Sequence, residues 1–135
     1  MLKRLIKKLR RSEKGQAMVE MALVLPILLV LVGGIMDFGW LFYNQLALNN
    51  AAREGARYAA IHYRLSTDWM EESVALMQDV YVGADSSQAV VHDPLTSQIE
   101  AQITADVPIL TGIASTLLGR DSLEMTGTCI MRLEH

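Results

Sequence analysis

The chain holds one cysteine, Cys129, in 135 residues. No intramolecular disulfide is open to it, and a zinc site would need its ligands from elsewhere. Its three histidines, His62, His92 and His135, are scattered, and none lies at metal-ligand spacing from Cys129. A glycine-rich phosphate loop, a nucleophile elbow and a pair of carboxylates set for acid–base work are all missing. Glu71-Glu72 reads as a charge pair at a helix N-terminus. These absences weigh against an enzyme, and no cofactor and no metal site are expected. The basic residues crowd near the N-terminus without aromatics among them, which weighs against nucleic acid as a partner. Proline is missing between Pro26 and Pro94, so nothing of that kind interrupts a helix there.

What is present divides at Gly15. Residues 1–15 carry seven basic side chains against Glu13 alone, a net of +6; residues 16–135 carry five basic against fourteen acidic, a net of −9. Leu2, Leu5, Ile6 and Leu9 make the leader a short basic amphipathic segment. Residues 21–36 hold no charge at all. Extended by Ala17–Val19 and by Phe38–Tyr43, the run reaches the ~20 residues that cross a bilayer. Trp40 and Tyr43 then fall where an interfacial aromatic belt sits, and Asp37 marks the outer boundary. Lys and Arg near one end of a span hold that end in the cytoplasm, which places the C-terminal body outside it. A secretory signal peptide is the rival reading; Gly33-Gly34 is the nearest, weak cleavage site, and the helical pattern continues past it.

Residues 44–64 read as the amphipathic continuation of the same helix, with Leu46, Asn49, Asn50, Arg53, Arg57, Ala60 and Arg64 at three- and four-residue steps. Glu54 is placed to pair with Arg57 or Tyr58. One helix from about 16 to about 64 would be roughly 70 Å long. Pro26 removes one backbone bond from it, and Gly33, Gly34 and Gly39 are either soft points, close-approach surfaces or ordinary membrane-helix glycines. Ser66-Thr67-Asp68, with Glu71 three residues on, reads as a helix start. Met70, Val74, Met77 and Tyr81 would form that helix's apolar face, ending near Gly83.

Ala84–Gln88 reads as a polar loop and Ala89–His92 as a short strand stopped by Asp93-Pro94. Residues 97–107 alternate: Ile99, Ala101, Ile103, Ala105 and Val107 lie on one face and Gln98, Glu100, Gln102, Thr104 and Asp106 on the other. After Pro108, Ile109–Leu118 is an apolar connector of a helical turn or two. Residues 122–133 alternate again, with Leu123, Met125, Gly127, Cys129 and Met131 inward, which makes Cys129 a small apolar filler; an intermolecular bridge is the alternative. The expected fold is α+β: a long N-terminal helix, half membrane and half amphipathic, with a small antiparallel sheet packed on its upper half. The segments are a leader at 1–15, a membrane segment at 16–43, a helical extension at 44–64 and an extracytoplasmic domain at 65–135. About 70 residues make only a marginal core alone, and the helix is the natural partner that completes it.

Gly15–Glu20 is the sharpest feature. An acid at the mouth of an apolar span calls for a partner. Glu20 is either at headgroup level in a simple anchor, part of a signal-peptide boundary, or part of a processing and assembly signal. Glycine before a scissile bond lets a protease approach the backbone closely. A cut after Gly15 would put an α-amino group on Gln16, charged near neutral pH. The Glu20 carboxylate of one subunit could then neutralise the Gln16 amine of its neighbour. Breaking such a desolvated pair costs roughly 3–5 kcal/mol.

Gly15-Gln16-Ala17-x-x-Glu20 before an apolar run with an early proline resembles the type IV prepilin signal of the Flp/Tad subclass. Asn49-Asn50-Ala51-Ala52-Arg53-Glu54-Gly55-Ala56-Arg57-Tyr58-Ala59-Ala60 is similar to the segment after the membrane helix in TadE-like minor pilins, and Cys129–Glu134 to their terminal strand. Residues 65–95 match nothing nameable. The resemblance implies a pilin-like fold and cleavage between Gly15 and Gln16 by a prepilin peptidase, an aspartic protease of the bacterial inner membrane. It implies a role in initiation, tip or assembly of a tight-adherence pilus, with other Tad pilins, assembly-platform proteins and the lipid bilayer as partners in a hetero-oligomer or filament. Flp major pilins usually carry an aromatic after the glutamate, where Met21 stands here, and are much shorter; both facts favour a minor pilin. Arg53, Glu54 and Arg57 are a candidate interface, set to meet lipid headgroups, a neighbour's carboxylates or the chain's own domain, or simply a solvated face.

Overall fold

The computed structural model describes residues 13–83, 86–93 and 97–133. The leader pattern at Leu2–Leu9, the Ala84 end of the expected loop, Pro94 and the terminal Glu134 and His135 lie outside the described residues.

A single 50-residue helix, α1 (Glu13–His62), dominates the chain. At 1.5 Å per residue it is about 75 Å long, close to the length its sequence predicts. Pro26 lies inside it and does not end it. The rest follows as α2 (Trp69–Val80), β1 (Ser86–Asp93), β2 (Gln98–Pro108), α3 (Gly112–Leu118) and β3 (Ser122–Arg132). The three strands form an antiparallel meander in the order β1-β2-β3, with Val90 opposite Ala101 and Ala101 opposite Cys129. The class is α+β, as expected from the sequence.

The alternation in β2 is realised residue by residue. Ile99, Ala101, Ile103, Ala105 and Val107 are buried, while Glu100, Gln102 and Asp106 are exposed. They meet a stripe on the C-terminal half of α1: Leu48, Ala51, Ala52, Ala56 and Ala59, all fully buried. Alanine contributes little apolar area, but its small side chain lets a helix lie close on a sheet. Met77 and Tyr81 of the α2 region complete this core; Met125, Cys129 and Met131 of β3 pack at its margin, so Cys129 is the apolar filler its pattern suggests. A second cluster joins Ala59, Trp69 and Ile99.

Three local expectations are corrected. Asp68 stands at the start of α2 but makes no side-chain cap; Thr67 donates its hydroxyl to the Asp68 carboxylate at 3.1 Å instead. Of the expected face, Val74, Met77 and Tyr81 do pack on the core, but Met70 in the first turn is exposed, and Trp69 and Ser73 are the buried residues at that end. The Trp69 ring meets Tyr63 edge-on at 6.0 Å. Finally, β1 begins at Ser86 and not at Ala89, because the 11-residue β2 offers partners as far as Ala105, opposite Ser86.

Candidate functional site

Gly15, Gln16 and Glu20 all lie on the first turns of α1. Gln16 and Glu20 are exposed, and the Gln16 amide donates to Glu20 Oε1 at a long 3.5 Å. The i, i+4 geometry of a helix places these two side chains on one face. Both stand at the start of an apolar surface of unusual extent. Met18, Leu23, Ile27, Leu29, Leu31 and Ile35 are each more than half exposed, and every other large apolar side chain from Met18 to Met36 is exposed too. A soluble monomer seldom exposes so continuous an apolar surface. The helix is long and apolar enough to cross a membrane.

That surface ends at a polar collar. Asp37 is buried, and its carboxylate accepts from the Thr111 backbone N–H at 2.8 Å and from the Thr111 hydroxyl. One turn on, the Trp40 indole N–H donates to the Pro108 carbonyl at 3.1 Å. The next turn presents Asn44, whose amide donates to the Trp40 carbonyl at 2.9 Å and whose Oδ1 accepts from the Tyr81 hydroxyl at 3.3 Å. Gln45 donates to the Thr126 carbonyl at 2.9 Å. So Asp37, Trp40, Asn44 and Gln45 tie the helix, over little more than two turns, to the end of α2, to the end of β2, to Thr111 and to β3. Burial raises the Tyr81 phenol above its ordinary pKa. A cleft of about 510 Å³ opens beside the collar, lined by Trp40, Tyr43, Asn44, Val82 and Pro108 among others. Asp37 therefore does more than mark a boundary, and its partner Thr111 lies 74 positions away, beyond the reach of local pattern.

Higher up, Arg53, Glu54 and Arg57 are exposed on the side of α1 away from the sheet. The structure does not bring them near Gly15–Glu20: Arg53 lies 37 helical residues beyond Gln16, about 55 Å along the axis. Tyr58 pairs not with Glu54 but with Glu72 of α2, its hydroxyl donating to Oε2 at 2.8 Å. The Glu72 carboxylate, chiefly through this bond, holds the Tyr58 phenol above its ordinary pKa. His62 stacks on the Tyr58 ring at 3.9 Å. Among the described residues no cluster of His, Cys, Asp and Glu could hold a metal ion.

A family model described as TadE-like protein matches residues 15–57, 43 of the 135. No curated protein and no solved structure matches the chain.

Proposed function

From a chain that is TadE-like over residues 15–57, we infer a minor pilin of a Tad-type pilus, inserted through residues 16–43 in the bacterial inner membrane with its C-terminal domain outside the cytoplasm. The observation that carries the reading is the continuity of α1: one helix bears an exposed apolar half and a half that completes a folded domain. A pilin needs both, a membrane-soluble subunit before assembly and a rigid rod with a head after it. The basic leader holds the cytoplasmic side. A prepilin peptidase cuts between Gly15 and Gln16, which lie on the first turns of α1. The freed Gln16 amine then has a carboxylate one turn away, since the Gln16 and Glu20 side chains already share a helix face. In the assembly, Glu20 of one subunit meets that amine on the next. Arg53, Glu54 and Arg57 face outward to neighbouring pilins or platform proteins. The role is structural, with no reaction of its own.

N-terminal sequencing of the protein from cells that hold the peptidase tests the reading. A start at Gln16 supports it. A retained leader supports the other arrangement, an uncut single-pass anchor presenting a small interaction domain. Gly15→Val should keep the leader, because a β-branched side chain excludes the close backbone approach that glycine permits. Glu20→Ala should still insert and be cut, yet enter filaments poorly. Normal filaments from that variant would remove the charge-pairing role.

A further inference from the structure

The chain is uncharged from Val107, at the end of β2, through the connector to Gly119, thirteen positions bounded by Asp106 on one side and Arg120-Asp121 on the other. Its place along α1 is fixed by the Asp37–Thr111 hydrogen bonds. Asp37 lies 19 residues beyond Met18, where the exposed apolar surface begins. Nineteen helical residues rise about 29 Å, and a bilayer's hydrocarbon core is about 30 Å thick. The connector is therefore held at the depth where the span leaves the hydrocarbon, on the outer side.

Its side-chain hydroxyls are satisfied internally, which lowers the cost of contact with lipid. Both Thr111 donors go to Asp37. In α3 the Ser115 and Thr116 hydroxyls both donate back to the Gly112 carbonyl, at 3.1 and 2.5 Å. Leu110 meanwhile stands 56% exposed, beside a helix that exposes Phe38, Phe42 and Tyr43 at the same level. An exposed leucine on an uncharged, self-satisfied segment, continuous with an apolar span, fits a lipid surface.

We propose that the 109–119 connector is a membrane-interface element: it rests in the outer leaflet of the bilayer, Leu110 contacts acyl chains, and Asp37 is the tether that holds it there. This rests on the membrane-spanning reading of α1. The element would seat the folded domain down on the bilayer before assembly.

The test uses the full chain in phosphatidylethanolamine–phosphatidylglycerol vesicles. A nitrobenzoxadiazole label is placed on a single cysteine at Leu110→Cys, at Val30→Cys in the span, or at Ser87→Cys on the exposed sheet face, each with Cys129→Ala. Quenching by lipid spin-labelled near the headgroup is expected to be several-fold stronger at position 110 than at 87. A deep spin label should quench position 30 and spare 110. Strong quenching at 30 with 110 no different from 87 overturns the inference and leaves the span intact. No quenching at 30 overturns both. Protection of 110 that appears only in assembled filaments assigns the surface to a neighbouring subunit and overturns the lipid contact. Asp37→Ala should lower quenching at 110 and leave 30 unchanged; unaltered quenching at 110 removes the tether.

Discussion

Gly127 marks a close approach of sheet and helix. A Cβ there would stand 2.5 Å from the Leu48 carbonyl carbon and oxygen and 2.8 Å from the Asn49 nitrogen. Those are backbone atoms in the middle of a 50-residue helix and cannot step aside. At Gly55 an added Cβ would meet Met77 Cγ at 2.5 Å and Sδ at 2.7 Å, but these belong to a flexible side chain. Overpacking of this kind costs about 1–3 kcal/mol. Gly127→Ala should therefore fall near the upper end of that range and Gly55→Ala near the lower, because methionine readily finds another rotamer. Urea unfolding of the two variants checks the order, and equal midpoints would refute it. Gly127 was legible in the sequence as an inward position of an alternating strand. Its contact with Leu48 was not, since the partner lies 79 positions away and the requirement is one of distance, not of polarity.

Among the elements, α2 is the one whose setting the sequence reads least well. Period locates its start to within a residue or two and turns Val74, Met77 and Tyr81 inward as found, but in the first turn it favours Met70, which is exposed, over Trp69, which is buried against Ala59 and Ile99. β2 is the opposite case. Five apolar residues alternate with polar ones without exception, and a one-residue slip would expose all five. α2 is also joined to α1 by a titratable contact, Tyr58 to Glu72. The folded state raises the Tyr58 pKa, first through the Glu72 hydrogen bond, then through burial and the Glu72 charge. A raised phenol pKa means that the contribution is complete below the unfolded value, about 10. It is lost as pH rises through the higher folded value. Tyr81, raised by burial, acts in the same sense. Stability should thus decline in the alkaline range above pH ~10 and stay flat, as far as these two groups go, below it. An ultraviolet difference titration of the folded protein should lose one late-ionising phenol in Tyr58→Phe, and Glu72→Gln should bring that phenol back toward the ordinary range. Superimposable curves for all three proteins would rule the contact out as a source of the shift.

The whole molecule is one rod divided between two surroundings. Below Asp37 the rod exposes leucine, isoleucine and valine on every side, and above Asn44 it exposes only one side and covers a sheet with the other. The sequence shows this division plainly, because charge is missing from 21–36, appears singly at Asp37 and returns in numbers from Arg53 onward. The collar between the halves is hidden in it, because the bonds that tie the helix to the rest of the chain join positions far apart, such as Trp40 with Pro108. The same division fixes what folds alone. In the main core, Leu48, Ala51, Ala52 and Ala56 come from α1 and face Ala101, Ile103 and Ala105 of β2. A fragment of residues 65–135 would leave that face of the sheet open to water, and about 70 residues with half a core cannot offset their own conformational entropy. It should show no cooperative urea transition and little near-ultraviolet circular dichroism. A fragment of residues 44–135 restores the alanine stripe, the Asn44–Tyr81 bond and the Gln45–Thr126 bond while omitting the apolar span. It should be monomeric and unfold in one transition with a midpoint well above that of any residual structure in the shorter piece. If 65–135 unfolded as cooperatively as 44–135, the upper half of α1 would be a stalk with a self-sufficient head, and not part of the domain's core.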